Sequence, residues 1–260
     1  AEAIGLRWAG FTCAPVAEPD FVVEVHNEPA PAGDEASLDS ILSAALRGKG
    51  RDYLLDGPRF YGMIQASQGA AVLHMRAAKP AREVEYFLRI ALALFALERD
   101  GLLVHGAALK RPARADASGG ADLVFLFVGQ SGSGKSTIAA LSRAAGRATA
   151  LGDDLILLRQ RGEAWCAYGT PFWNFDTVAR DDQLETGLVA GIYKLVQDRA
   201  VFMEPMSQAA ATAELVANCP IVNDLPALLP ILIDRCREIA GMITVRRLHF
   251  RKDDAFWDVI

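Results

Sequence analysis

Near the middle of the chain stand residues whose types and spacing suit phosphate chemistry. Gly129, Gln130, Ser131, Gly132, Ser133, Gly134, Lys135 and Ser136 fit the pattern G-x-x-x-x-G-K-[ST] at every fixed position. The run from Leu123 to Val128 before them is apolar and rich in Val and Phe, which predicts a buried strand. Thr137 to Leu141 then continues as a helix, with Thr137 closing the phosphate-facing stretch. A Gly- and Ser-rich turn can match such a pattern by chance, but strand before and helix after are the context that a phosphate loop requires. The glycines let backbone N–H groups turn inward around phosphate oxygens, where a Cβ would obstruct. The helix start adds N–H groups of its own and the positive end of its dipole. In this arrangement Lys135 reaches the outer phosphates and the Ser136 hydroxyl is a ligand for Mg²⁺.

A second group of candidates is acidic. Leu151 and Gly152 lead into Asp153 and Asp154, eighteen residues or more beyond Lys135. That is enough chain for a helix, a turn and a strand returning to the phosphate end. Neighbouring strand residues point to opposite faces, but a bulge or strand end brings both carboxylates to one pocket. Phosphoryl transfer uses a carboxylate near Mg²⁺, here Asp153, and a second to take the proton of the attacking hydroxyl. The alternative is a surface turn or helix-capping pair. His105, followed by Gly106, sits in an otherwise apolar run, and reads equally as a core residue or as a site residue. His26, His74 and His249 have no comparable context and read as structural.

These residues need elements to hold them. Up to residue 80 the chain reads as a β-rich unit, with strand composition at Ile4–Trp8, Phe21–His26 and Ala71–Met75 and a short helix at Ser37–Leu46. Gly and Pro punctuate the intervals at Pro29–Gly33 and Asp56–Pro58. Residues 81–260 read as a second, nucleotide-binding core with a helical C-terminal part. It opens on an amphipathic helix at Arg82–Glu98, whose Val84, Phe87, Leu88, Ala91, Leu94 and Phe95 share one face. A strand at Leu102–Leu109 and a polar loop from Lys110 to Ala121 lead back into the Leu123–Val128 strand. Leu155–Leu158 and Ala164–Tyr168 form a hairpin through Arg161–Gly162. Helices are expected at Leu188–Leu195, Ser207–Ala217 and Ala227–Ala240, with Pro230 disturbing the start of the last, and a strand at Met242–Leu248. Antiparallel connections on both sides of the phosphate loop predict an α/β fold on a mixed, largely antiparallel sheet.

Composition narrows the function classes. Of the chain's 260 residues, 52% are hydrophobic and 23% charged, which is ordinary for a globular protein. A net charge of −5 argues against broad nucleic-acid binding. Cys13, Cys166, Cys219 and Cys236 are scattered with no C-x-x-C pair, so free thiols in a reducing cytosol are expected. The chain opens on Ala1 and Glu2 without the basic start and apolar run of a signal peptide. The longest apolar run, Tyr86–Leu97, contains Arg89 and is shorter than the ~20 residues a membrane span needs. A cytoplasmic protein without membrane or nucleic-acid partners is the expectation, with homo-oligomerisation left open.

In chain order, His105-Gly106, the loop Gly129–Ser136 and Gly152-Asp153-Asp154 resemble the catalytic core of HPr kinase/phosphorylase. That bacterial enzyme phosphorylates a protein serine with a P-loop, and its fold is similar to the nucleotide domain of phosphoenolpyruvate carboxykinase. The resemblance spans about residues 100–215 and extends into Tyr168–Trp173 and Glu204–Ala209. It implies a P-loop kinase core that uses ATP and Mg²⁺. It gives Lys135 to phosphate, Ser136 to the metal, an Asp of the 153–154 pair to general base catalysis, and His105 to the catalytic site. Alignment from the strand favours Asp154 as the base. Gln130 stands where the family usually has an acidic residue. The residues that would serve as the family's later acidic metal-ligand motif and downstream arginine are not identified from this sequence.

The layout, a β-rich unit followed by a helix, His-Gly and the P-loop, is similar to that of kinases acting on the C-terminal serine of lasso-peptide precursors. The expectation is a serine kinase acting on a peptide or protein tail, held in a groove of the first 80 residues. Competing readings are a small-molecule, carboxykinase-like kinase and a nucleotide-binding regulatory module. Phe172, Trp173 and Phe175 are either core packing or a platform for the acceptor. Phe256 and Trp257 are expected to dock the terminus on the core.

Overall fold

The structure is a computed structural model that describes residues 8–28, 44–76, 81–112, 121–172 and 186–260. It divides into two units, residues 1–99 and 100–260.

Period-two alternation builds the first unit. Strands β1 (Val22–Asn27), β2 (Ala45–Lys49), β3 (Asp52–Asp56), β4 (Phe60–Gln65) and β5 (Ala70–Met75) form a sheet in the order β1-β5-β4-β3-β2. β1 runs parallel to β5 and the other neighbours are antiparallel. Tyr53, Leu55, Phe60, Ile64, Leu73 and Met75 are buried, while Leu54 and Met63 between them are exposed. Helix α1 (Ala81–Glu98) buries Val84, Phe87, Ile90, Ala91 and Leu94, the spacing expected of an amphipathic helix.

This helix packs on β5 and the turn Ala66–Gln68, and its Tyr86 and Phe87 meet Phe60 and Gly62 of β4. The boundary expected after residue 80 therefore falls after Arg99. The helix expected over Ser37–Leu46 is a strand at its described end, since Ala45 and Leu46 open β2 opposite Asp56 and Leu55. Its remainder, the strand expected at Ile4–Trp8 except for Trp8, and the Pro29–Gly33 segment lie outside the described residues.

The second unit is one sheet with helices. Its strands are β6 (Gly101–Arg111), β7 (Leu123–Val128), β8 (Thr149–Gly152), β9 (Leu155–Arg161), β10 (Ala164–Tyr168), β11 (Thr186–Gln197), β12 (Phe202–Pro205) and β13 (Val245–Phe250). Its helices are α2 (Lys135–Ala144), α3 (Gln208–Ala217) and α4 (Leu229–Met242). The strand order is β10-β9-β6-β7-β11-β13-β12, with β8 beside β6 and β10 also reaching β11. Among the described residues the sheet is mixed and mainly antiparallel: six pairings are antiparallel and two, β7–β11 and β11–β13, are parallel. β7, β11 and β13 thus end at the same edge of the sheet, the edge where open α/β sheets bind ligands.

β11 corrects the helix expected at Leu188–Leu195. It runs between β7 and β13 as a central strand of the sheet, with Ile192, Tyr193 and Leu195 buried. A strand covered on both faces loses the clean alternation that would mark it, and its apolar spacing then passes for a helix.

The helices expected near Ser207–Ala217 and Ala227–Ala240 are present as α3 and α4. The Ser207 side chain caps α3 by accepting from Ala210 N–H. Pro230 sits in the first turn of α4, where its missing N–H costs nothing. The chain end docks as expected: Phe256 and Trp257 are buried, Trp257 meets Phe125 edge to face at 5.2 Å, and its indole N–H donates to Ser142 Oγ at 2.9 Å.

Candidate active site

Where β7 ends at Val128, the backbone leaves the sheet and wraps toward α2. Gly134 caps that helix with φ of +108°, a conformation that strains any residue with a side chain. A Cβ there would also stand 2.4 Å from Phe250 Cζ, so the ring at the end of β13 packs directly against the loop backbone. From the end of β11, Gln197 Nε2 donates to the Gly132 carbonyl at 2.8 Å. The two strands parallel to β7 therefore each hold the loop from one side.

Lys135, the first residue of α2, is largely buried. Its ammonium donates to the Gly129 carbonyl at 2.7 Å and the Gln130 carbonyl at 3.0 Å. Burial pushes its pKa below the usual lysine value, and the Asp154 charge opposes that shift. A cation folded onto its own loop carbonyls, with a carboxylate near it, is placed to exchange those partners for phosphate oxygens.

The acidic pair comes from a break in the sheet. β6 pairs through Gly101–His105 with β9 and through Ala108–Lys110 with β8. Asp153 and Asp154 are the two residues between β8 and β9, beside the register shift at Ala108/Leu109. There the Gly106 N–H donates to the Asp154 carbonyl at 3.0 Å. This irregular stretch lets neighbouring carboxylates share one pocket, and it sets Asp154 Oδ1 3.7 Å from His105 Nε2. His105 is half-buried and lines the cleft.

These pieces meet in a cleft of about 380 Å³ lined by His105, Ser131, Gly132, Gly134, Lys135, Ser136, Thr137, Asp153, Asp154, Gln197 and Lys252. Of the residues anticipated from the sequence, Gly129, Gln130 and Ser133 shape the loop without lining the cleft. Gly129 and Gln130 present their carbonyls to Lys135, and the Ser133 N–H closes the turn onto Gln130 O at 3.1 Å. Ser136 and Asp153 open onto the same cleft and are oxygen donors of the kind Mg²⁺ prefers. Among the described residues no cluster of three or more His, Cys, Asp or Glu side chains is shaped to hold a metal by itself.

Gln197 and Lys252 also line the cleft, and no sequence motif marks them. Gln197 is the last residue of β11 and Lys252 lies two residues beyond β13, both strands parallel to β7, and only that topology brings them to the cleft. Phe172 is buried, in keeping with core packing, while Trp173 and Phe175 lie outside the described residues. No described helix is long and apolar enough to cross a membrane.

No protein-family model matches the chain. No curated protein matches it either. Among solved structures, the chain is similar to the HPr(Ser) kinase/phosphatase from Coxiella burnetii at 12% identity and a TM-score of 0.31. That similarity covers 57% of this chain and 85% of the other.

Proposed function

We propose that the chain is an ATP- and Mg²⁺-dependent kinase that passes the γ-phosphate to a serine hydroxyl of a peptide or protein. The observation that supports it is the shared cleft: a glycine loop at a helix start, Lys135, Ser136, the 153–154 carboxylates and His105 all open onto one polar space. Phosphoryl transfer asks a protein chiefly for positioning and charge stabilisation, and this set supplies both.

In this reading the loop N–H groups and Lys135 bind the β- and γ-phosphates, with Lys135 releasing its two loop carbonyls as they arrive. Ser136 and Asp153 would hold Mg²⁺, whose charge would offset that of the phosphates. Asp154 accepts the serine proton as the serine oxygen bonds to the γ-phosphorus. The bond from that phosphorus to the bridging oxygen of the β-phosphate breaks, and ADP leaves. His105 stands beside Asp154 and orients its carboxylate toward the incoming hydroxyl. Lys252, on the loop after β13, adds a second cation to the cleft.

A serine near the end of a flexible tail reaches such a cleft without unfolding its own protein. The acceptor class proposed is therefore a Ser-containing peptide tail, and the C-terminal serine of a lasso-peptide precursor is the specific case suggested by the sequence layout. The test is phosphotransfer from Mg·ATP across serine peptides, small acceptors (sugars, amino acids, organic acids) and no acceptor. Transfer to peptide supports the reading. Transfer to a small acceptor alone replaces the acceptor, and binding without transfer to any acceptor replaces the kinase with a nucleotide-binding module.

A further inference from the structure

The antiparallel register of β6 and β7 pairs Gly106 with Val128 and stops there. One step further, His105 and Gly129 would face each other, but the chain turns into the phosphate loop at Gly129, where φ is +146°. Both residues then need a new partner for an N–H that the sheet no longer serves. Asn218, which caps the C-terminal end of α3, meets both needs. Its main-chain carbonyl accepts from the His105 N–H at 2.7 Å. Its side-chain Oδ1 accepts from the Gly129 N–H at 3.2 Å.

The remaining end of the amide is held in turn. Asn218 Nδ2 donates to the Glu214 carbonyl at 2.8 Å and to Glu214 Oε1 at 3.1 Å, and Glu214 Oε2 is paired with Lys194 of β11. Asn218 is only 5% exposed and its bond from Gly129 is buried, where an unmet polar group is costly.

We propose that Asn218 is a positioning residue that replaces the missing rung between β6 and β7 and so fixes the start of the phosphate loop against the His105 strand. Through it, α3 and the Lys194–Glu214 pair set the spacing between the phosphate-binding half of the cleft and its His105–Asp154 half. The nucleotide consequence rests on the kinase reading above, whereas the tether itself does not.

Amide hydrogen exchange on the whole chain, with Mg·ATP titration alongside, tests the two parts separately. In Asn218→Ala the Gly129 N–H is expected to exchange about two- to tenfold faster, the effect of one lost hydrogen bond. Mg·ATP affinity is expected to fall by a similar factor. Asn218→Asp keeps an acceptor for Gly129 but sets a carboxylate against Glu214. Adding Glu214→Gln returns a donor to that contact and is expected to restore both readouts toward wild type. Unchanged Gly129 exchange in Asn218→Ala, or faster exchange with unchanged affinity, would overturn the proposal. Should Asn218→Ala not fold, failure of Glu214→Gln to rescue Asn218→Asp would overturn it equally. Faster Gly129 exchange in a chain whose wild type binds no Mg·ATP would uphold the tether and reject the kinase reading instead.

Discussion

His105 Nε2 stands 3.7 Å from Asp154 Oδ1, where the pairing of β6 with β9 ends at His105 and its pairing with β8 begins only at Ala108. The two side chains reach the same cleft, His105 from β6 and Asp154 from the step between β8 and β9. An imidazole there can steady the carboxylate or carry charge beside it. With about a third of its side chain exposed, His105 contributes little to the core. His105→Ala is therefore expected to lower turnover at least ~10-fold, below the range of a lost general base, with little change in melting temperature. Both are read on one preparation, and a large melting shift with normal specific activity would return His105 to a structural role.

The carboxylates are separable by substitution. Asp153→Asn and Asp154→Asn keep shape while removing charge, and each is expected to cut phosphoryl transfer at least ~100-fold. Mg·ATP binding should survive better in Asp154→Asn, because Asp153 is the residue assigned to the metal. Single-turnover rates with calorimetric affinities give both numbers, and near wild-type transfer in both variants would make the pair structural.

Lys135 carries a pH signature. Burial lowers its pKa in the folded chain, so over an alkaline window the unfolded chain keeps a proton that the folded chain has lost. Stability from this group therefore rises with pH through that window. Phosphate favours the charged ammonium, so Mg·ATP affinity falls as pH rises through the same window. Melting curves and titrations at stepped pH check the opposed slopes. Lys135→Ala should bind Mg·ATP far more weakly and flatten both slopes; identical slopes in variant and wild type would contradict the assignment. The substitution acts on a buried lysine bonded to Gly129 and Gln130 carbonyls, so local changes in the loop should accompany it.

Gly134 and Phe250 form a steric test of the loop. In Gly134→Ala the new methyl meets the Phe250 ring and the backbone keeps a φ of +108°. Strain of roughly 1–3 kcal/mol is expected from the backbone conformation alone. Phe250→Leu in the same chain should recover part of the stability and little of the nucleotide affinity, since the φ constraint remains. Full recovery of both would mean that the ring contact, not the loop conformation, governs binding.

The sequence made the phosphate loop legible because its residues are contiguous and its flanking strand and helix are strongly patterned. The β9–β10 hairpin was readable from Arg161–Gly162, and α3 from its Ser207 cap. β11 was not readable, because a strand buried between β7 and β13 shows apolar spacing rather than alternation. That error also hid the parallel core of β7, β11 and β13. Gln197 lies 65 residues from its partner Gly132, and Asn218 lies 89 from Gly129. Neither belongs to a motif, and only strand order brings them to the loop. In the first unit, β3 and β4 pass unnoticed in sequence because Gly57, Pro58 and Gly62 break their apolar pattern, although Tyr53, Leu55, Phe60 and Ile64 alternate as a half-buried sheet requires.

On the proposed reading, this cleft moves phosphate from ATP to serine. The most direct measurement is mass spectrometry of a peptide ending in a serine tail after incubation with the chain and Mg·ATP, beside the same peptide with that Ser replaced by Ala. One added phosphate is expected on the serine peptide, none on the alanine peptide, and none with the Asp153→Asn/Asp154→Asn double variant. Phosphate appearing only on a small organic acceptor, or ATP bound with its γ-phosphate never transferred to any acceptor, would contradict it.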